Sequence, residues 1–411
     1  MASKWNAQEV SISDAKIGRD FDAELEGRKG KQRKKKAMKF GSMMEIQNKS
    51  LTESERRKRD KALKKRIWSK HYLEESELLG KSLSDSYINN RVSKLVNEAK
   101  QVRKMGSHSA SKLPAIDFTQ PDLKPGTLQW DSVKAQVQLA LQQFGCFEAL
   151  FDKIPLEIRE AIFAALEELF DLPLEIKTLN VSKTPYHGYI GQHPKIPLFE
   201  SIGFDDAHLL ENVEAQTRTF WPQGNASFSK ILQSYAKELR ELDQMIRRMI
   251  LEIFQVEKYM EEHMDSSEYL LKVMKYKGPR TSEPQVGLGA HTDMDLVTIL
   301  YQNEVNGLGL QSSTTGEWVD WVPSKHSFIV TIGESLHATY HRVMLSGDEP
   351  RYSVGLFTVP KAGYMIKAPE ELVDEAHPLL YKPFDYAELL RFHVSNEGRY
   401  TQSGLKGYCG V

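Results

Sequence analysis

Short apolar segments separated by turn residues dominate the chain between Tyr269 and Val359. They are YLLKVMKY, LVTILYQN, LGLQ, EWVDW, SFIVTIG and RYSVGLFTV. Asn306-Gly307 is a hairpin signal before LGLQ, and Gly316 marks a turn before EWVDW. Strands at this spacing, without helices between them, predict an antiparallel sandwich or barrel rather than βαβ units. We expect a double-stranded β-helix, the cupin-like jelly roll.

The residues before this region have helical periodicity instead. One helix is predicted from Ser132, with Gly145 as its stop, and a second is predicted to start at Pro155. A long amphipathic helix is predicted from about Ser229. Its inward-facing residues are Leu232, Tyr235, Leu239, Leu242, Ile246 and Ile253. Residues 182–222 are rich in Gly, Pro, Tyr and Phe without a period, so we expect long ordered loops there. A strand at 113–118 and a C-terminal helix at 383–393 complete the prediction.

Charge divides the chain into two unlike parts. The net charge is −1 over 411 residues, but residues 1–104 carry +12 and the remainder carries −13. Basic runs at 28–39 and 56–66 repel themselves and cannot form a core. We expect a solvated extension, disordered or helical, with one exposed helix at about 51–79. The alternative is an arm that binds nucleic acid or directs nuclear import through residues 28–66.

These observations divide the chain into four expected parts. Residues 1–104 are the basic extension, 105–262 an α-rich region, 263–370 the jelly-roll core and 371–411 a helical tail. The sequence contains no apolar run long enough to span a membrane and no secretory pattern at its start. Its two cysteines, Cys146 and Cys409, are too few for a disulfide framework. We expect a cytoplasmic monomer, with a nuclear location as the alternative suggested by the basic runs.

Three residues in the predicted β region have the chemistry of a metal site. His291 and Asp293 are two positions apart, so on a strand their side chains point to the same side. His341 follows fifty residues later. Two imidazoles and one carboxylate that leave coordination positions open form the facial triad of non-haem Fe(II) oxygenases. The open positions suit a bidentate 2-oxo acid and O₂.

A second pair of residues suits the far end of such an acid. Arg351 and Ser353 are again two positions apart on a predicted strand. A guanidinium grips a carboxylate through two charge-assisted hydrogen bonds, and a hydroxyl adds a third donor. Each motif is unspecific alone, but the five residues in this order point to one chemistry.

The chain from about Lys112 to Val411 resembles the plant-type 2-oxoglutarate and Fe(II)-dependent dioxygenases. The resemblance rests on GLGAHTD, on VMKYKGP, on HRVMLSGDEPRYSVGLFTVPKAGY and on the C-terminal YCGV. It is strongest to the AOP-like branch, which is associated with oxidation of glucosinolate side chains. A similar branch oxidises indole-3-acetic acid.

The resemblance implies roles for individual residues. His291, Asp293 and His341 match the iron ligands, and Arg351, Ser353 and Tyr276 match the residues that bind 2-oxoglutarate. It implies oxidative decarboxylation of 2-oxoglutarate to succinate, coupled to hydroxylation, desaturation or dealkylation of a small plant metabolite, with ascorbate as reductant. Candidate substrate-facing residues are Tyr186, Tyr189 and Phe204, and the equal alternative is that these aromatic side chains belong to the core.

The sequence departs from the family pattern just before His341. About eight residues of the usual hairpin between SFIVTIG and HRV are absent, which leaves open the alternative that a missing chain reversal displaces His341 from His291. His337 is a possible substitute, but the spacing from His341 to Arg351 favours His341. A mis-joined gene model would explain both this gap and the basic extension, and sequencing of the transcript tests it.

Two other functions remain open at this point. One is a catalytically impaired jelly roll whose basic arm is the working part. The other is a cupin-like metal enzyme that uses no 2-oxo acid, which Arg351 and Ser353 disfavour.

Overall fold

The computed structural model describes residues 113–312, 316–322, 324–333, 338–375, 377–398 and 404–410. The basic extension, with its expected helix at 51–79 and its nucleic-acid site at 28–66, lies outside the described residues. Predictions about it therefore stay predictions.

Helices precede the β region and also follow it. The strands are β1 (Ala115–Asp117), β2 (Cys146–Leu150), β3 (Phe199–Asp205), β4 (Ser267–Tyr276), β5 (Thr281–His291), β6 (Val297–Gln302), β7 (Leu308–Gln311), β8 (Trp318–Asp320), β9 (Ser327–Ile332), β10 (His341–Gly347), β11 (Arg351–Pro360), β12 (Met365–Ile366) and β13 (Phe384–Asp385). The helices are α1 (Leu128–Phe144), α2 (Leu156–Phe170), α3 (Leu174–Lys177), α4 (Leu210–Phe220), α5 (Ala226–Ile253), α6 (Met260–Asp265), α7 (Tyr386–Val394) and α8 (Gly404–Cys409). Short 3₁₀ turns lie at Glu257–Tyr259 and Glu370–Leu372.

Two sheets form the core of the described part. The larger has the order β1-β2-β9-β6-β11-β4-β3, and the smaller has the order β5-β10-β7-β8. The chain passes repeatedly from one sheet to the other, which confirms the predicted jelly roll. Strands β1 to β3 come from the α-rich region and extend the larger sheet on both sides.

The long helix α5 covers the outer face of the larger sheet. Its buried side chains include Leu232, Tyr235, Leu239, Leu242 and Ile246, as the periodicity predicts. The helix begins at Ala226, slightly earlier than predicted, because the Asn225 side chain accepts a hydrogen bond from the Phe228 N–H at 3.1 Å. Helix α1 ends at Gly145 as predicted, where φ is 71°.

The prediction of loops throughout 182–222 is wrong. Strand β3 and helix α4 lie within this segment. All but the last residue of β3 are buried, so no alternation of polar and apolar residues marks the strand. Helix α4 has only a narrow buried stripe, formed by Val213, Thr217 and Phe220, and the polar Thr217 hides its period.

Asn306-Gly307 does not form a hairpin. Strand β6 belongs to the larger sheet and β7 to the smaller one, so the segment between them is a crossover. A side chain at position 307 would place its Cβ 2.8 Å from the Met344 carbonyl oxygen, so a glycine is needed there for close approach. The turn at Gly316 is confirmed, since β7 and β8 pair antiparallel on either side of it and its φ is 71°.

His341 is not displaced from His291, since it is the register partner of His291 on β5. Strand β9 lies between β2 and β6 in the larger sheet, whereas β10 lies between β5 and β7 in the smaller one. Because β9 and β10 do not pair, the connection between them need not reverse the chain within one sheet. Residues 334–337 of this connection, including His337, lie outside the described residues.

The C-terminal helix is confirmed as α7, which starts at Tyr386. None of the helices in the described ranges is long and apolar enough to cross a membrane.

Candidate active site

The three predicted metal ligands converge where β5 ends and β10 begins. His341 is the register partner of His291, and Asp293 lies two residues beyond the end of β5. Asp293 Oδ1 lies 3.7 Å from His291 Nε2 and 3.8 Å from His341 Nε2. One ligand atom from each residue lies within 4.8 Å of the others. This donor set fits a ferrous ion whose three protein ligands occupy one face of its coordination octahedron, with the opposite face open to other ligands.

Backbone carbonyls orient both imidazole rings. His291 Nδ1 donates to the Gly289 carbonyl at 2.9 Å, and His341 Nδ1 donates to the Thr339 carbonyl at 3.0 Å. A carbonyl only accepts, so each Nδ1 carries a hydrogen, and Nε2 is the ring nitrogen that lies near Asp293. The GLGA sequence before His291 is the end of strand β5 and supplies the first of these carbonyls.

The pKa of His291 favours metal binding. Burial, together with the neighbouring His341, lowers the pKa of His291 to about 4. The ring is therefore neutral at pH 7, which is the form that binds a metal ion.

A hydroxyl and a second carboxyl support the Asp293 carboxylate. Thr298 Oγ1 lies 3.0 Å from Asp293 Oδ2 and 2.7 Å from Asp295 Oδ2. Burial, and then the charge of Asp293, raises the pKa of Asp295 well above its ordinary value. This direction favours the neutral carboxyl of Asp295, which donates to the Thr298 hydroxyl and leaves the single hydroxyl hydrogen for Asp293. Sequence reasoning missed this chain of hydrogen bonds, although the segment HTDMDLVT contains Asp293, Asp295 and Thr298 within six residues.

Arg351 is a buried cation whose hydrogen-bond partners are neutral. Its guanidinium donates to Gln302 Oε1 at 2.6 Å and to Ser353 Oγ at 3.4 Å. It lies 4.9 Å from the centre of the Tyr276 ring, and Tyr276 is its register partner on β4. Arg351 forms no ion pair within the described residues, its Nε has no hydrogen-bond partner, and burial lowers its pKa. A buried guanidinium in this state fits the carboxylate of a ligand.

Gln302 is a second residue that sequence reasoning missed. Its amide also donates to the Val305 carbonyl at 2.8 Å, so the amide orientation is fixed. Its position could have been predicted from the sequence, because Gln302 lies near the end of the predicted strand LVTILYQN, on the same face as Thr298.

Two of the three candidate substrate-facing aromatics lie in the core instead. Phe204 is fully buried and packs against Phe220 and Phe228, on the helix side of β3. Tyr189 packs against the same core, and its hydroxyl donates to Glu200 Oε2 at 3.0 Å. Tyr186 is partly exposed, and its hydroxyl lies 2.8 Å from His393 Nδ1.

Two family models match the chain. The 2OG-Fe(II) oxygenase superfamily matches residues 255–360, and the N-terminal region of non-haem dioxygenases in morphine synthesis matches residues 113–202. The first match contains all six predicted site residues.

Curated relatives and solved structures agree with these matches. The chain is 44% identical over 311 residues to the probable 2-oxoglutarate-dependent dioxygenase AOP1.2 of Arabidopsis thaliana, covering 72% of this chain and 95% of the relative. The rice dioxygenase for auxin oxidation is 25% identical, with a TM-score of 0.60, over 73% of this chain and 100% of that one. The Arabidopsis enzyme AtDAO1, solved with 2-oxoglutarate, has a TM-score of 0.58 and 22% identity over 65% of this chain and 100% of that one, and it supports the fold. The chain therefore belongs to the 2OG-Fe(II) oxygenase superfamily, as a 2-oxoglutarate-dependent dioxygenase of the plant AOP-like branch.

Proposed function

We propose that His291, Asp293 and His341 hold the Fe(II) ion of this dioxygenase. The observation that carries the proposal is the convergence of their three ligand atoms within 4.8 Å. The hydrogen bonds of both Nδ1 atoms to backbone carbonyls support it, because they hold each ring with Nε2 free for a metal ion.

The distal carboxylate of 2-oxoglutarate is assigned to Arg351, Ser353 and Tyr276. Arg351 supplies the charge, and Gln302 keeps the guanidinium in place. The nearby apolar side chains of Phe199, Met274, Val343 and Leu345 exclude water. The cosubstrate would thus be held at one end by a buried cation and at the other by the metal.

When bound, iron, 2-oxoglutarate and O₂ together supply a two-electron oxidation in which 2-oxoglutarate is converted to succinate and CO₂. The role of the protein is to orient these reactants and to keep the site dry. We assign hydroxylation, desaturation or dealkylation of a small plant metabolite to this site, with ascorbate keeping the iron reduced. The AOP relatives and the plant enzymes named for auxin oxidation support this substrate class.

The enzyme is assigned to the cytoplasm as a monomer. Nucleic-acid binding by residues 28–66 stays a prediction about the basic extension, and steep salt dependence of RNA binding by the full chain would support it.

The assignment of the cosubstrate site is tested by succinate formation with purified protein, Fe(II) and varied 2-oxoglutarate. Arg351→Met is expected to raise the KM for 2-oxoglutarate by about 100-fold, because a charge-assisted bidentate contact is lost. Arg391→Met is the matched control, since Arg391 is an exposed arginine on α7 paired with Glu388. An unchanged KM in the Arg351 variant would contradict the assignment.

A further inference from the structure

Lys272 lies on the strand that carries Tyr276, on the same face. The two residues are four positions apart on β4, with Met274 between them, so their side chains point to the same side. Both register partners of Lys272 are glycines, Gly355 on β11 and Gly203 on β3. The lysine side chain therefore rises between two positions without side chains, on the face that holds the candidate active site.

The ammonium of Lys272 has no acidic partner in the described part of the chain. Its Nζ donates to the Tyr186 carbonyl at 3.0 Å and lies 5.7 Å from the centre of the Tyr186 ring. Lys275, on the opposite face of the same strand, differs, because it pairs with Asp171 at 3.1 Å. Burial lowers the pKa of Lys272 to about 8, and the charge of Asp293 offsets only part of this effect. An anion beside the ammonium would stabilise its charged form.

The segment that supplies the Tyr186 carbonyl is held in a strained conformation. Tyr186 has a φ of 71°, which is unfavourable for a residue with a side chain. The chain crosses closely over β3 at Gly203, where a Cβ would lie 2.2 Å from the His187 carbonyl oxygen. His187 Nδ1 is also 2.6 Å from Asp205 Oδ1, which anchors the segment. These contacts fix the carbonyl that orients Lys272.

A second polar group on this face has no partner among the described residues. Ser201 on β3 is fully buried, and its hydroxyl makes no hydrogen bond there. Its register partner is Met274, two residues from Lys272 on the same face. A buried hydroxyl without a partner is unfavourable, so this position also favours a polar ligand.

Lys272 is too far from Arg351 to share one carboxylate with it. Four residues along a strand span about 13 Å, and Arg351 is the register partner of Tyr276, at the other end of that span. In the proposed function, Arg351 holds one end of 2-oxoglutarate and the metal holds the other. The charge of Lys272 is therefore available to the organic substrate that is oxidised.

We propose that Lys272 binds the carboxylate of the organic substrate, so that this enzyme acts on a small carboxylic acid. The inference rests on the proposed function and adds the substrate class. Lys272 is then a residue that determines specificity, and Tyr186 is the residue that positions it.

The test measures binding of matched acids and amides to the full chain loaded with Fe(II) and 2-oxoglutarate without oxygen. The probes are phenylacetate, phenoxyacetate and octanoate, each with its neutral amide, followed by calorimetry. The wild type is expected to bind at least one acid about 10- to 100-fold more tightly than its amide, the usual range for a hydrogen bond to a charged group. Lys272→Met should abolish this preference, whereas Lys272→Arg should keep most of it.

Matched controls distinguish failure of this proposal from failure of the proposed 2-oxoglutarate and iron site. Lys275→Met removes a lysine from the other face of the same strand and should keep the preference for acids. Lys272→Gln replaces Lys272→Met if the latter does not fold. A wild type that binds no acid better than its amide overturns the proposal, as does a Lys272 variant that keeps the preference. A tenfold loss of 2-oxoglutarate affinity in Lys272→Met overturns it too, because the lysine would then serve the cosubstrate. A wild type that fails to bind 2-oxoglutarate overturns the proposed function as well.

Discussion

His341 lies directly opposite His291 in the antiparallel pairing of β10 with β5, and the centres of the two imidazole rings are 4.2 Å apart. Two ligands that are distant in sequence are thus fixed by a single strand pair. A register slip of one residue would turn one of them to the other face of the sheet. The integrity of the metal site therefore depends on the pairing of β5 with β10.

Thr298 is expected to tune metal affinity without contacting the metal. Thr298→Val keeps the shape of the side chain but removes the hydroxyl between Asp293 and Asp295. Loss of such a supporting hydrogen bond typically weakens metal binding by about 10- to 100-fold. Equilibrium binding of Fe(II) under anaerobic conditions measures the effect.

The matched control for this variant is Asp295→Asn. The amide of asparagine donates to Thr298 as a neutral carboxyl would, so metal affinity is expected to stay within about threefold of the wild type. A large loss in Asp295→Asn with no loss in Thr298→Val would show that the hydrogen-bond chain is assigned wrongly.

Gln302 is expected to affect the cosubstrate more than the metal. Gln302→Ala removes the acceptor that holds Arg351, so the guanidinium loses its fixed orientation. A hydrogen bond to a charged group is worth about 1.5–3 kcal/mol, and we expect the KM for 2-oxoglutarate to rise at least tenfold. Kinetics at varied 2-oxoglutarate measure it, and Gln302→Glu should not restore the affinity, because its carboxylate would pair with the guanidinium in place of the cosubstrate. Equal KM values in Gln302→Ala and wild type would remove Gln302 from the site.

The sequence allowed good prediction of features with a local signal. The period of α5, the stop at Gly145 and the pairs His291/Asp293 and Arg351/Ser353 follow from local spacing, and the structure shows each in place. These features depend on residues a few positions apart, which the chain itself displays.

Features that depend on which strands pair were predicted poorly. Asn306-Gly307 has hairpin chemistry, but the strands on either side belong to different sheets. The same sheet-to-sheet crossing lies between β9 and β10, so the gap before His341 does not misplace that residue. Strand pairing is a long-range property, and turn chemistry alone does not specify it.

His263 is expected to make the protein less stable in acid. Burial, and then the positive charge of Arg247, lowers the pKa of His263 from 6.5 to about 4. The unfolded chain therefore binds this proton more readily, so stability is full above pH 6.5 and falls as the pH drops from 6.5 towards 4. Because the side chain is only partly buried, we expect a loss of about 1–2 kcal/mol rather than the full value for this shift.

Urea unfolding at pH 7.5 and pH 4.5 isolates this contribution. His263→Gln has no group that titrates in this range, so its free energy of unfolding should fall less than that of the wild type between the two conditions. Equal losses in both proteins would show that His263 is not responsible.

The central claim is that His291, Asp293 and His341 assemble an iron site in spite of the shortened connection before β10. The most direct test is anaerobic titration of the purified full chain with Fe(II) and 2-oxoglutarate, followed by the weak visible charge-transfer band of the chelated oxo acid. The account predicts a saturable band in the wild type and none in His341→Ala. A folded wild-type chain without the band, or a His341→Ala variant that keeps it, would contradict the account.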